Sequence, residues 1–210
     1  MGLVLALAAG SAGLVAWQAF APGPVRVAGL GIDRLSTTLS LLVAGVGAAA
    51  FRFSRRYLDG EPGRGAFLVR LAFTIGSAYV LMLADHLALI LAAWTLTGLG
   101  LHALLLHERD RPEAVRPARK KFLISRLGDL ALIGAIGLIA TEWGTMELSS
   151  FLKSVAAGAS ADGGHLPAIG FLIALAALTK SAQVPFHSWL PETMEAPTPV
   201  SALMHAGIIN

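Results

Sequence analysis

Charge stays out of long stretches of this chain, and that constrains the fold more than any other feature. Residues 1–25 carry no ionisable side chain, residues 35–51 carry none, and residues 86–107 carry only histidines. A helix that crosses a bilayer needs about 20 mostly apolar residues. In hydrocarbon every backbone polar group must be satisfied within the chain, which leaves helices and closed barrels as the spanning structures. A barrel would show short alternating segments; these runs are continuous. The chain therefore reads as an all-α, multi-pass transmembrane helix bundle. Hydrophobic residues make up 55% of its 210 residues, whereas an ordinary soluble domain reaches roughly half with glycine counted in.

Seven apolar segments are predicted, at residues 1–20, 35–53, 66–84, 86–106, 122–140, 167–186 and 199–210. The first has no basic residue ahead of it, and Pro22 follows its small-residue site, so it reads as a retained helix and not a cleaved signal. Residues 21–34 hold Pro22, Gly23, Pro24, Gly29 and Gly31 and read as an extracytoplasmic loop. Residues 84–86 form a very tight turn between two spans. Residues 142–165 are polar, with a short surface helix expected at about residues 146–154.

The basic residues mark the topology. Arg52, Arg55, Arg56, Arg64 and Arg70 lie in or beside one loop. Arg109, Arg111, Arg116, Arg119, Lys120 and Lys121 lie in a second. Together they are eleven of the sixteen lysines and arginines. Two spans separate the loops, so both fall on one side, and the positive-inside rule makes that side cytoplasmic. The net charge of +3 is thus a topology signal and not a nucleic-acid footprint. There is no cysteine, so this chain builds no disulfide, thiolate metal site or iron–sulfur cluster. No phosphate loop, dinucleotide fingerprint or HExxH is present; no cofactor or metal is expected, and no catalysis by the chain itself.

Ionisable groups inside apolar helices are costly and commonly functional. Lys180 lies in the sixth segment, five residues before Pro185, which should kink or end the helix and free carbonyls beside the lysine. A buried lysine suits proton exchange; a snorkelling lysine is the alternative. His205 shares a helix face with Ser201 and suits a relay, or packs as a hydrogen-bonded core histidine. Arg126 and Asp129 are three apart, the spacing of an internal ion pair. His102 lies two turns after Thr95 on one face and reads either as a titratable group or as a structural hydrogen-bond partner. Glu192 and Glu195, in a proline-rich stretch, read as surface residues near a channel mouth.

Residues 180–206, KSAQVPFHSWLPETMEAPTPVSALMHA, closely resemble the signature of the antiporter-like subunits of respiratory complex I. The same family includes the large subunits of multi-subunit cation/proton antiporters and the membrane subunit of two-component inorganic carbon uptake complexes. Leu83-Ala-Asp-His-Leu resembles the family's LADN turn, Ser125-Arg-Leu-Gly-Asp129 its SR[VLI]GD, and Asp33-Arg-Leu-Ser its D-x-LS.

The resemblance implies two inverted helix repeats with a proton path at mid-membrane. This chain would hold most of the first repeat, with residues 1–53 as N-terminal helices and residues 54–210 as an antiporter-like module. The last segment, about 12 residues rising about 18 Å, falls short of a core roughly 30 Å thick, so the module is expected to be incomplete at its C-terminal end. By the resemblance Lys180 aligns with the family's essential lysine on a broken helix, His205 with its relay histidine, and Asp129 with its conserved-motif aspartate.

One departure stands out: the family's glutamate after the tryptophan of the fourth helix is replaced, in Trp94-Thr95. His102 is the candidate to supply the missing titratable group. The stretch around residues 101–122 looks most like the carbon-uptake version.

Three functions follow as expectations. The first is a proton-conducting subunit of the inner membrane that serves a large soluble zinc-dependent partner in CO2 or bicarbonate uptake. The second is subunit L of NADH-quinone oxidoreductase among its membrane subunits, or an Mrp-type Na+/H+ antiporter subunit. The third is an inactive, truncated membrane scaffold.

Overall fold

The computed structural model describes residues 2–20, 23–107, 112–158, 164–195 and 197–205. Residues 206–210, onto which the last apolar segment was expected to continue, and Arg109 and Arg111 of the second basic loop lie outside them. The helices in chain order are α1 (Gly2–Phe20), α2 (Arg34–Tyr57), α3 (Arg64–Leu83), α4 (Leu87–Leu105), α5 (Pro112–Trp143), α6 (Leu148–Ala156), α7 (Leu166–Lys180) and α8 (Thr198–His205). A 3-10 turn covers Pro191–Glu195. Helices α2, α3 and α4, and α5 from Val115, are each long and apolar enough to cross a membrane. Their outward faces are apolar: Val69 of α3 is 70% exposed, Leu123 of α5 69% and Leu42 of α2 54%. Such faces suit lipid, whereas soluble helices put their charges there.

Helix α2 begins where the sequence supplies a cap. The Ser36 backbone N–H donates to Asp33 Oδ1 at 2.7 Å, and the Asp33 N–H donates to Ser36 Oγ at 2.9 Å. This reciprocal capping satisfies two of the donors a helix start leaves open. It gives the Asp33-Arg-Leu-Ser motif a structural job. Arg55 and Arg56 fall in the last turn, the favourable end for positive charge.

The loop at residues 21–34 is more ordered than its prolines and glycines predict. β1 (Val25–Val27) and β2 (Leu30–Ile32) pair as a short antiparallel hairpin. Its turn residues Ala28 and Gly29 both have positive φ, as a tight two-residue hairpin turn requires. Sequence alone misses it because three-residue strands carry too little alternation to read. The hairpin lies on the α3–α4 turn: Asp85 and His86 both donate their backbone N–H to the Gly29 carbonyl, at 2.8 and 3.0 Å.

Two helix ends also differ from expectation. Helix α5 starts at Pro112 and not near residue 122, so the basic residues Arg116, Arg119, Lys120 and Lys121 are themselves helical. Polarity conceals this, because the first turns stand outside the apolar span. Helix α7 stops at Lys180 and does not run on to residue 186. Ser181 donates its N–H to the Ala177 carbonyl at 2.9 Å, and Gln183 donates to the Leu178 carbonyl at 3.1 Å. Ala182 between them has a positive φ of 50°. The helix closes itself in this way before Pro185 is reached, so these two carbonyls are occupied and not freed.

One core cluster joins α1 to α4 with Trp189 and α8, through residues such as Val4, Phe67, Leu71, Leu101, Trp189 and Leu203. A second joins α4 to α7 around Ile139, Phe151 and Ile169. Helices approach most closely at glycines. A Cβ at Gly100 would overlap Thr74 of α3, and one at Gly128 would overlap Thr179 of α7. The α2–α3 loop and the C-terminal end of α4 lie at one end of the bundle, where Arg70 donates to the Ala103 carbonyl and the Phe67 and His107 rings meet 4.9 Å apart.

Candidate functional site

The polar residues of interest gather where α4, α5 and α7 meet. Lys180 is the last residue of α7, and the helix stop places its side chain against the middle of α4. Its Nζ donates to the Trp94 carbonyl at 3.3 Å and sits 4.7 Å from the centre of the Trp94 ring. A cation over an indole face is held by the ring quadrupole, more strongly where water is excluded. Thr95, where the family's glutamate would stand, is the next residue along α4.

Asp129 and Arg126 project from α5. Arg126 Nη2 lies 2.8 Å from Asp129 Oδ2, with the aspartate side chain nearly buried. The same guanidinium lies 5.1 Å from the centre of the Phe122 ring. The α5–α7 contact at Gly128 and Thr179 brings this pair and Lys180 within electrostatic range of one another. Asp129 is the one acid among the charges that act on Lys180.

His102 lies two turns further along α4 from Thr95. Its Nδ1 is 3.2 Å from the Ala118 carbonyl of α5, and its ring lies 4.8 Å from that of Phe122. A carbonyl only accepts, so this contact puts the proton on Nδ1. His205 ends α8, where Val200, Leu203 and Met204 are buried. Its side chain lies outside the described residues, as does that of Glu195. Glu192 is surface-exposed and pairs with Lys120, tying the 3-10 turn to α5.

Lys121 is the residue that sequence reasoning missed. Counted among loop charges, it is only 3% exposed, and its Nζ donates to the Gly98 carbonyl of α4 at 3.0 Å. Helical register was the available signal. Lys121, Gly128 and Ala135 recur at intervals of seven on the buried stripe of α5.

A helix that stops inside the bundle, a lysine fixed at its end and a cluster of ionisable groups define a membrane helix bundle with a polar interior. The particular family follows from comparison. Residues 84–210 match the family described as NADH:quinone oxidoreductase/Mrp antiporter, TM, and the chain belongs to that family.

It is 40% identical over 182 residues to a probable inorganic carbon transporter subunit, DabB1, of Halothiobacillus neapolitanus, covering 85% of this chain and 33% of that protein. It is 38% identical over 178 residues to the NADH-quinone oxidoreductase subunit L of Mycobacterium tuberculosis, covering 85% of this chain and 28% of that one. The fold matches a chain of the Mrp complex from Dietzia sp. DQ12-45-1b with a TM-score of 0.79 and 33% identity, over all of this chain and 25% of the other. The chain thus spans about a third or less of the length of these relatives.

Proposed function

We propose that this chain is the proton-conducting part of a membrane subunit, with Lys180 as the group that takes up and releases the proton. One observation carries the reading: an amine anchored to a mid-helix carbonyl of α4 at the end of a helix that stops inside the bundle. His205 continues the path on α8, Asp129 sets its charge balance through Arg126, and His102 stands on the Thr95 face of α4 as a further titratable group. The basic loops face the cytoplasm across an inner membrane.

The proton flow serves uptake of CO2 or bicarbonate with a large soluble zinc-dependent partner. The similarity to a carbon transporter subunit supports this, as does the stretch around residues 101–122. The similarity to subunit L favours a second reading, a distal pumping subunit of NADH-quinone oxidoreductase.

The test uses the full-length protein in its complex. Lys180→Ala should insert and assemble normally yet lose proton-coupled function. Lys180→Arg should fail as well, because arginine stays protonated. Normal function in the arginine variant would make the side chain a fixed charge and sink the proposal. Bicarbonate accumulation against NADH oxidation in the same membranes separates the two partners.

A further inference from the structure

Two adjacent lysines on α5 have opposite fates. Lys120 is half exposed and reaches Glu192 at the surface. Lys121 turns inward and is buried on Gly98 of α4. Snorkelling does not describe it: Gly98 is the twelfth residue of a 19-residue helix, about two turns from its end.

The acceptors of the two buried lysines stand in line. Lys180 holds the Trp94 carbonyl and Lys121 the Gly98 carbonyl. Positions four apart lie on one stripe of a helix, about 6 Å along its axis, so the two amines are held on neighbouring turns of α4. Four residues further on the same stripe is His102, whose Nδ1 meets the carbonyl of Ala118, three residues before Lys121 on α5. The stripe at residues 94, 98 and 102 therefore presents Lys180, Lys121 and His102 in order, from mid-bundle toward the end that carries the basic loops.

The charges point the same way. Lys180, Arg126 and Asp129 all act on Lys121. Fully ionised, Lys121, Lys180, Arg126 and Asp129 carry three positive charges against one negative. Arg126 is already paired with Asp129, and arginine does not release its proton. Burying an unbalanced charge costs several kcal/mol per ion. Of the cluster's cations, the two lysines are the ones able to give up a proton.

We propose that Lys121 is a proton-transfer residue that loads Lys180 from the side of the basic loops. The inference rests on the reading of Lys180 as a proton carrier and adds the group that supplies it. In the step, an Nζ–H bond of the Lys121 ammonium breaks and an Nζ–H bond forms on the neutral amine of Lys180, through intervening water. Lys121 is left as a neutral amine and takes its next proton from the His102 side. The cluster's total charge does not change during the transfer itself.

The experiment uses the full-length subunit in its complex, reconstituted in liposomes, with proton flux followed by a trapped pH dye. Variants are Lys180→Ala, Lys121→Arg and Lys121→Cys, each checked for insertion and assembly. The cysteine variant is treated with an aminoethylating thiol reagent, which restores a titratable amine, or with its trimethylammonium analogue, which installs a fixed charge; wild type is treated in parallel.

Lys121→Arg should lose flux by at least about tenfold, as for removal of a proton-transfer group. The aminoethyl adduct should recover it and the trimethylammonium adduct should not. Wild-type flux in Lys121→Arg, equal recovery by both adducts, or no recovery by the amine overturns the role of Lys121 while leaving Lys180 standing. Wild-type flux in Lys180→Ala overturns both.

Discussion

Asp85 offers a sharp test of how the hairpin, the α3–α4 turn and α6 are held together. Its carboxylate accepts from the Ser149 N–H at 2.9 Å, from Ser149 Oγ at 2.7 Å and from Arg26 Nε at 2.9 Å. Its own carbonyl accepts from the Leu148 N–H at 2.8 Å, a bond that substitution leaves in place. Hydrogen bonds to a charged, mostly buried partner contribute about 1.5–3 kcal/mol each. The Arg26 side chain is about a third exposed, and its contact adds about 0–1 kcal/mol. Asp85→Ala should therefore cost about 3–7 kcal/mol in all.

The clean measurement is a double-mutant cycle of Asp85→Ala and Ser149→Ala by thermal unfolding of the solubilised full-length protein. Limited proteolysis after α6 reports local release of the clamp. A coupling of about 1.5–3 kcal/mol is expected for the hydroxyl bond. Additivity of the two substitutions within about 0.5 kcal/mol would refute the clamp. In that case the Leu83-Ala-Asp-His-Leu motif would need another explanation.

Three further outcomes follow from the structure. Gly128→Ala places a methyl group on Thr179, so it should cost about 1–3 kcal/mol by overpacking and lower proton flux by displacing Lys180; unchanged stability and flux would count against the α5–α7 contact. His102→Gln retains a hydrogen-bonding group but cannot titrate, and flux measured from about pH 6 to 8 should fall; normal flux across that range leaves His102 a structural role. The chain has no native cysteine, so single cysteines at Gly60 and Ala114 report topology cleanly, and neither should label from outside intact cells; labelling of both would invert the proposed orientation.

Much of the bundle is legible in the sequence, because lipid imposes a simple rule. A charge-free run of sufficient length must satisfy its own backbone, and a helix does so locally. The four helices long enough to cross, the tight turn at residues 84–86 and the isolated Lys180 follow from composition along the chain. The pairing of Arg126 with Asp129 is equally local, a matter of three-residue spacing.

Long-range placement is what the tertiary structure decided. Helix α7 ends at Lys180 because Ser181 and Gln183 fold back to close it, and only that stop sets the amine against Trp94. The hairpin persists because Gly29 and Asp85 meet across more than fifty residues of chain. Lys121 is the plainest case. A count of charges places it in a loop beside Lys120, and nothing within a few residues separates the two. The direction it faces depends on where α5 begins and on which of its stripes meets α4. Burial is a property of the helix pair and not of the residue, so the bundle alone could turn a loop lysine into part of the site.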